Sequence, residues 1–312
     1  YVTGHTGFKG GWFLLLLNRL GATVHGYSLP PETNSIFHSI NGSSLCTSTF
    51  GDILDIKKFE ADILGFEPDI IFHFAAQPLV LPSYEDPVST FEINSMGTVN
   101  LLESVRRLDK RCTVVVITTD KVYLNKELGS TFNEDAPLGG YDPYSASKAA
   151  AELIVNSYRH SFFNPSSYSQ HGKSIATARS GNVIGGGDWS HNRIVPDIIR
   201  SISEGKKLLL RSPNAVRPWQ HVLDPLMGYL YLAFYLSINP DSHFYNSAWN
   251  FGPTKDVNSS VEKLVQSMFQ VFKKGIMEVK ARSFYESELL ELDSSKSQEH
   301  LKWSSKLNFK NS

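Results

Sequence analysis

The sequence predicts an α/β protein: a doubly wound parallel sheet with a smaller mixed lobe toward the C-terminus. Three observations predict it. Apolar strand-like runs alternate with helical runs from Tyr1 to Ser180, the pattern of strands joined by crossover helices. A glycine-spaced turn, Gly4-x-x-Gly7-x-x-Gly10, follows the first strand end and opens a helix. Cys112–Thr119 is almost wholly β-branched, as a central parallel strand covered on both faces should be.

Taken in order, Tyr1-Val2-Thr3 reads as the end of a strand. Parallel strands normally run about five residues, so this one is expected to start upstream of Tyr1. Glycines at the spacing of Gly4, Gly7 and Gly10 let the backbone turn tightly and approach a diphosphate at the start of helix Gly11–Leu20. Thr23–Tyr27 is the second strand. It runs into Ser28-Leu29-Pro30, with no acid to hold a ribose diol and no arginine to hold an extra phosphate, so it does not choose between NAD and NADP. Asp69–Phe74 is an apolar strand ending in Ala75-Ala76-Gln77, where a cofactor can lie against the backbone. Asp86–Leu108 and Tyr144–Phe162 read as long helices, and Ser174–Ser180 as a strand.

After Ser180 the alternation breaks. Gly181–Trp189 is a glycine-rich loop without the Gly-Lys-Ser/Thr of a P-loop. Arg193–Gly205 reads as a helix, Leu208–Arg211 as a short strand and Arg217–Val222 as extended. The tail from about Val257 adds a helix, a strand Met277–Ala281 and a polar Ser/Lys-rich end. The domain reading is therefore 1–181 for a dinucleotide, with 217–250 returning to it, and an interleaved substrate lobe over 182–312.

Composition narrows the function. The 312 residues are 41% hydrophobic and 20% charged, enough for a sizeable core, and the net charge of −1 offers no attraction to nucleic acid or acidic membranes. Only Cys46 and Cys112 are present, too few for a disulfide framework, and no Cys-x-x-Cys or His-Glu-x-x-His suggests a metal site. The apolar runs Trp12–Leu17 and Leu226–Leu236 are too short to cross a bilayer, so a cytoplasmic protein is expected.

The stretch Gly139–Glu152 concentrates the chemistry. Asp142 can cap a helix whose first position suits Pro143, which puts Tyr144 and Lys148 four apart on one face. A phenol beside a fixed ammonium can take a proton from a sugar hydroxyl while a hydride leaves the same carbon. With 13 tyrosines about one such pair arises by chance, so its surroundings matter. Thr119-Asp120-Lys121 lies at the carboxyl end of the central strand, where doubly wound sheets bind ligands, and its acid and amine can donate and accept protons. Arg193, Arg211 and Arg217 adjoin loops on the same side, as suits a diphosphate.

On the glycine turn, Tyr144-x-x-x-Lys148, and Arg217-x-Trp219 followed by His221-Val222-x-Asp224, the chain resembles the extended short-chain dehydrogenase/reductase family of Rossmann-type NAD enzymes. Within it, the stretches 4–10, 75–80, 118–123, 181–189 and 217–222 look most like nucleotide-sugar 4,6-dehydratases; the likeness thins past about 255, and those chains usually continue beyond Ser312. The resemblance implies CDP-glucose as substrate, NAD as a tightly held cofactor, a homodimer through the two long helices, and a product that feeds deoxysugars of bacterial surface polysaccharides.

It also implies roles. Tyr144 beside Lys148 takes the 4-hydroxyl proton, Thr119 holds that oxygen, Lys121 removes the C5 proton and Asp120 protonates the departing 6-hydroxyl. Gly4, Thr6, Gly7, Phe8, Lys9, Gly10, Ala75, Ala76, Gln77 and Thr118 line the cofactor, together with Tyr144 and Lys148, while Asp52 and Ile53 flank its adenine. Asn182, Arg193 and Arg217 contact the sugar nucleotide. Related dTDP-glucose dehydratases carry Asp-Glu where this chain has Asp120-Lys121, so a lysine base here must be neutral when it acts. Epimerases of the family lack an acid–base pair there, which favours dehydration over 4-epimerisation. A catalytically idle dinucleotide-binding protein is the remaining alternative.

Overall fold

The computed structural model describes residues 1–127, 129, 131–253, 259–280 and 290–307. Its centre is a seven-stranded sheet built from β1 (Val2–Thr3), β2 (His25–Ser28), β3 (Thr47–Phe50), β4 (Ile70–His73), β5 (Cys112–Ile117), β6 (Lys173–Ser180) and, far along the chain, Ala248–Phe251. The short strands between are β7 (Val183–Ile184), β8 (Leu208–Leu210), β9 (Val216–Arg217) and β10 (Gln220–His221), so the late sheet strand is β11; β12 (Ser259–Ser260) and β13 (Met277–Val279) follow. The sheet order is β11-β6-β5-β4-β1-β2-β3, with every neighbouring pair parallel. The strand order reverses between β1 and β4, and it is at the carboxyl ends beside such a switch point that doubly wound sheets bind ligands.

The helices are α1 (Phe8–Arg19), α2 (Ile36–Ser39), α3 (Ile56–Phe66), α4 (Val80–Glu85), α5 (Pro87–Phe91), α6 (Gly97–Arg107) and α7 (Pro143–Ser161). They continue with α8 (Tyr168–His171), α9 (Ile194–Glu204), α10 (Leu223–Ile238), α11 (Val261–Phe272) and α12 (Ser295–His300). Side chains alternate across a strand, and β5 uses both sides. Val115 and Ile117 join Phe13, Leu14 and Leu17 of α1 and Leu226, Tyr229 and Leu232 of α10 in one core layer. Val114 and Val116 join Phe59 and Ile63 of α3, Leu101 and Val105 of α6 and Val155 of α7 in the other. Each fully buried valine contributes about 1.5 kcal/mol or more, which is why the sequence there is β-branched on both faces. A smaller cluster of Ile198, Ile202, Leu208, Leu210 and Val265 holds the C-terminal lobe, where β8 pairs with β13.

Several elements begin or end elsewhere than the pattern predicts. The first helix starts at Phe8 rather than Gly11, because Gly10 packs directly over the turn: a Cβ there would stand 2.2 Å from the Gly4 carbonyl oxygen. The second strand is His25–Ser28 rather than Thr23–Tyr27. The long helix expected over Asp86–Leu108 is interrupted by a π-helical turn, Glu92–Met96, that carries the buried Asn94. Arg193 is the N-cap of its helix, not its first turn, and Arg217–Val222 divides into the two short strands β9 and β10. Val257 and Ala281 lie outside the described residues. Cys112 is buried, as the pattern predicts, and Cys46 is only half-buried; both are free thiols.

Candidate active site

The carboxyl ends of the sheet strands open into a cleft of about 810 Å³. Gly4 turns with φ +72°, and a Cβ there would meet the Ala75 amide at 2.8 Å, so both the turn and the close approach of β1 to the β4 loop require glycine. Gly7 is the N-cap of α1 and is exposed, with no side chain capping it. The first amides of α1 are thereby left facing the cleft, a ready site for an anion. Thr6 ties the turn to the second strand through Ser28 Oγ at 2.7 Å and by donating to the Leu29 carbonyl at 3.1 Å.

The opposite wall is α7. Asp142 caps it, accepting from the Ser145 amide at 2.9 Å, and Pro143 occupies the first turn, as the sequence predicts. Tyr144 and Lys148 both line the cleft, and the Lys148 ammonium donates to the Ile117 carbonyl at 3.1 Å. Burial pulls the Lys148 amine down to about 8, against the pull of Glu152 one turn further on. Burial likewise pushes the Tyr144 phenol up to about 12, against a hydrogen bond with Thr119; Asp120 adds to the rise. Desolvation thus opposes ionisation of the phenol more than Thr119 and Arg193 favour it.

Thr119 and Asp120 sit just past β5. Thr119 donates to Asp120 Oδ1 at 3.0 Å, while Oδ2 is buried without a hydrogen-bond partner among the described residues. It lies beside Gly181, whose missing Cβ would have stood 3.0 Å from it. Asp120 is 1% exposed, and burial pushes its carboxyl up, with Lys121, Thr119, Arg217 and Lys9 pulling the other way. Lys121 is half-buried and faces the same cleft. This arrangement gives a carboxyl held toward its protonated form, an amine and a phenol around one space.

Asn182, Arg193 and Arg217 line the far end of the cleft, with Arg211 beside them. Arg193 pairs with Asp188 at 2.9 Å, which anchors the glycine-rich loop, and Trp12 donates to the Gly186 carbonyl at 2.9 Å to pin it further. The glycine-rich loop is thus tethered at both of these points. Asp52, Ile53, Ala75, Ala76 and Thr118 face the cleft as expected of a cofactor seat. Gln77 does not. Its side chain donates to the Leu79 carbonyl and Thr90, accepts from the Leu79 amide, and its backbone is clasped by Asn94, so it braces the loop from behind.

The GDP-mannose 4,6 dehydratase family model matches residues 1–312. The chain belongs to that family. A CDP-glucose 4,6-dehydratase of Salmonella typhimurium is 47% identical over 269 residues, which are 86% of this chain and 74% of that one. The fold is shared with a dTDP-glucose 4,6-dehydratase of Bacillus anthracis in complex with NAD, at TM-score 0.81 and 22% identity over 99% of this chain and 92% of that one. It is shared equally with a Thermus thermophilus UDP-glucose 4-epimerase complex with NAD, at TM-score 0.83 and 23% identity over 99% and 94%.

Against this dehydratase-family background, several contributors escaped the sequence reading. Ser180 and Tyr229 meet Lys9 at the cleft floor. Glu152 accepts from Thr118 at 2.5 Å, Thr177 at 2.7 Å and the Arg179 guanidinium at 2.9 Å, which fixes α7 against β5 and β6. Glu152 follows Lys148 by four residues, the one signal that could have found it; its partner Arg179 carries none. The exposed Glu32 also lines the cleft.

Proposed function

We propose that this chain converts CDP-glucose to CDP-4-keto-6-deoxyglucose with NAD as cofactor. The observation that carries the reading is Asp120: a buried carboxyl that burial pushes toward its protonated form, with one oxygen left without a hydrogen-bond partner among the described residues, set between Thr119, Lys121 and Tyr144. Support for the cytidine nucleotide is the Salmonella relative at 47% identity.

The uncapped first turn of α1, the φ of Gly4 and the exposed Gly7 suit a dinucleotide diphosphate. Gly7, Phe8, Lys9 and Gly10 would hold it, with Asp52 and Ile53 at one end and Thr118, Tyr144 and Lys148 at the other. When bound, NAD removes the C4 hydride of the sugar and later restores it at C6. The chain's own residues supply the proton chemistry. Tyr144, as the phenolate that the nearby Lys148 ammonium favours, takes the proton of the 4-hydroxyl and becomes neutral. Thr119 donates to that oxygen. The 4-ketone acidifies the C5 proton, which Lys121 removes in its neutral form, and Asp120 gives its proton to the 6-hydroxyl so that it departs as water. Arg193 and Arg217 neutralise the substrate diphosphate. By this reading residues 1–181 and the returning 217–250 carry the cofactor, and the rest carries the sugar nucleotide.

The same reading places a second copy of the chain against α5, α6 and α7. Val88, Phe91, Met96, Leu153 and Phe162 are 67%, 39%, 50%, 58% and 48% exposed there, a run of apolar side chains that a homodimer would cover. It also carries a cytoplasmic location; no helix among the described residues is long and apolar enough to cross a membrane.

The test is CDP-glucose deuterated at C4, followed by NMR beside UDP-glucose, dTDP-glucose and GDP-mannose. Deuterium at C6 of a 4-keto product, from CDP-glucose alone, is the expected result. Deuterium returned to C4 with inversion would make the chain an epimerase and overturn the roles of Asp120 and Lys121.

A further inference from the structure

Lys9 lies in the first turn of α1 and faces the floor of the cleft. Its ammonium donates to Ser180 Oγ at 2.8 Å and to the Tyr229 hydroxyl at 3.4 Å, and Tyr229 donates to the same Ser180 oxygen at 2.7 Å. Both partners are neutral hydroxyls on residues that are 2% and 0% exposed. Among the described residues no carboxylate stands within ion-pair distance of it. An ammonium has three donors, and two are used.

Lys9 as a residue is half-buried, but its ammonium sits on two buried hydroxyls, and a cation so placed is costly without a counter-charge. The groups around it make matters worse on balance. Arg193, before α9, and Lys148, on α7, repel it, and only Asp120, after β5, attracts it. Asp120 is itself pushed toward its neutral form by burial. Tyr229 on α10 and Tyr144 on α7 are both pushed up by burial and carry no charge to offset it. Burial first, and Arg193 next, bring the Lys9 amine down to about 7. What the floor lacks is an anion, and the uncapped first turn that carries Lys9 is where an anion belongs.

We propose that Lys9 couples dinucleotide binding to proton uptake, shedding its proton in the free cleft and recovering it when the anionic cofactor enters. The proposal rests on the NAD reading above. The reduced dinucleotide lacks the positive charge of the oxidised nicotinamide ring, and Lys9 feels Lys148 and Asp120 at the end of the cleft where that ring would react, so a charged Lys9 favours the reduced form. The chain thereby holds the reduced cofactor most firmly in the interval between oxidation at C4 and hydride return at C6.

The test is calorimetric titration of the whole chain with NAD and with NADH at pH 8, in phosphate and in Tris, whose ionisation enthalpies differ. Uptake approaching about one proton per NADH, and less per NAD, is expected from an amine that is mostly neutral at that pH. NADH affinity should fall by up to about tenfold per pH unit above pH 7. Lys9→Arg, which keeps its charge, should lose most of the proton uptake and of the pH dependence, leaving only the share of Lys148, whose amine burial also pulls down to about 8; Lys9→Met should lose the same uptake and bind NADH more weakly. Dinucleotide binding by the wild type without buffer dependence, or uptake undiminished in Lys9→Arg, would overturn the proposal and leave the NAD reading intact. Failure of the wild type to bind either dinucleotide would overturn both.

Discussion

Asp120 shows how much a single residue owes to its surroundings. As a letter beside Lys121 it reads as an acid that can donate a proton at a strand end; only in the fold is it seen to be 1% exposed and held toward the protonated state. Asp120→Asn keeps the shape and removes the proton donor. Turnover of CDP-glucose should fall by about 10²-fold or more, while absorbance near 340 nm from reduced cofactor still appears on mixing with substrate, because C4 oxidation does not need the acid. Loss of that absorbance together with turnover would place Asp120 in binding instead. Lys148 makes a second, pH-dependent prediction. Its folded value of about 8 lies below its ordinary 10.5, so between those values the unfolded chain holds a proton that the folded one has shed. Stability should therefore rise with pH across that window, by at most about 3 kcal/mol from this residue. Thermal melts of the apo protein at pH 8 and pH 10 should show the rise, and Lys148→Met should reduce it.

At the scale of elements, α7 carries its own instructions. Asp142, Pro143 and the four-residue spacing of Tyr144, Lys148 and Glu152 are all local, and the helix begins where they place it. Asp142→Ala removes a cap that also accepts from the Ser145 hydroxyl, and should cost about 1 kcal/mol in denaturant titration. Glu152 is different. Its carboxylate and the Arg179 guanidinium are 3% and 4% exposed, on elements the sequence does not join. Glu152→Gln leaves a buried cation unpaired and should cost about 3 kcal/mol or more, read as a lowered denaturation midpoint. The π-helical turn at Glu92–Met96 and the inward fold of Gln77 were likewise invisible, since both follow from Asn94 reaching across to Gln77 and Ser147. Gln77 follows two cleft-lining alanines directly, so only that long-range clasp distinguishes its role from theirs.

The whole molecule adds what no element contains. If the apolar faces of α5, α6 and α7 close a homodimer, light scattering on the wild type should give twice the chain mass, and Met96→Asp with Leu153→Asp should give a folded monomer. A monomeric wild type would remove the dimer. The sequence by itself determined the class of fold, the glycine turn, the capped helix with its tyrosine and lysine, and the acid–amine pair after β5, because spacing, capping and backbone freedom are local properties. Only the tertiary structure decided which charges survive. Arg193 pairs with Asp188, Glu152 takes Arg179, and Lys9 is left on two hydroxyls. Whether a phenol, an acid or an amine holds its proton depends on burial and on neighbours from other elements. Those are properties of a packed interior, and neighbouring letters do not contain them.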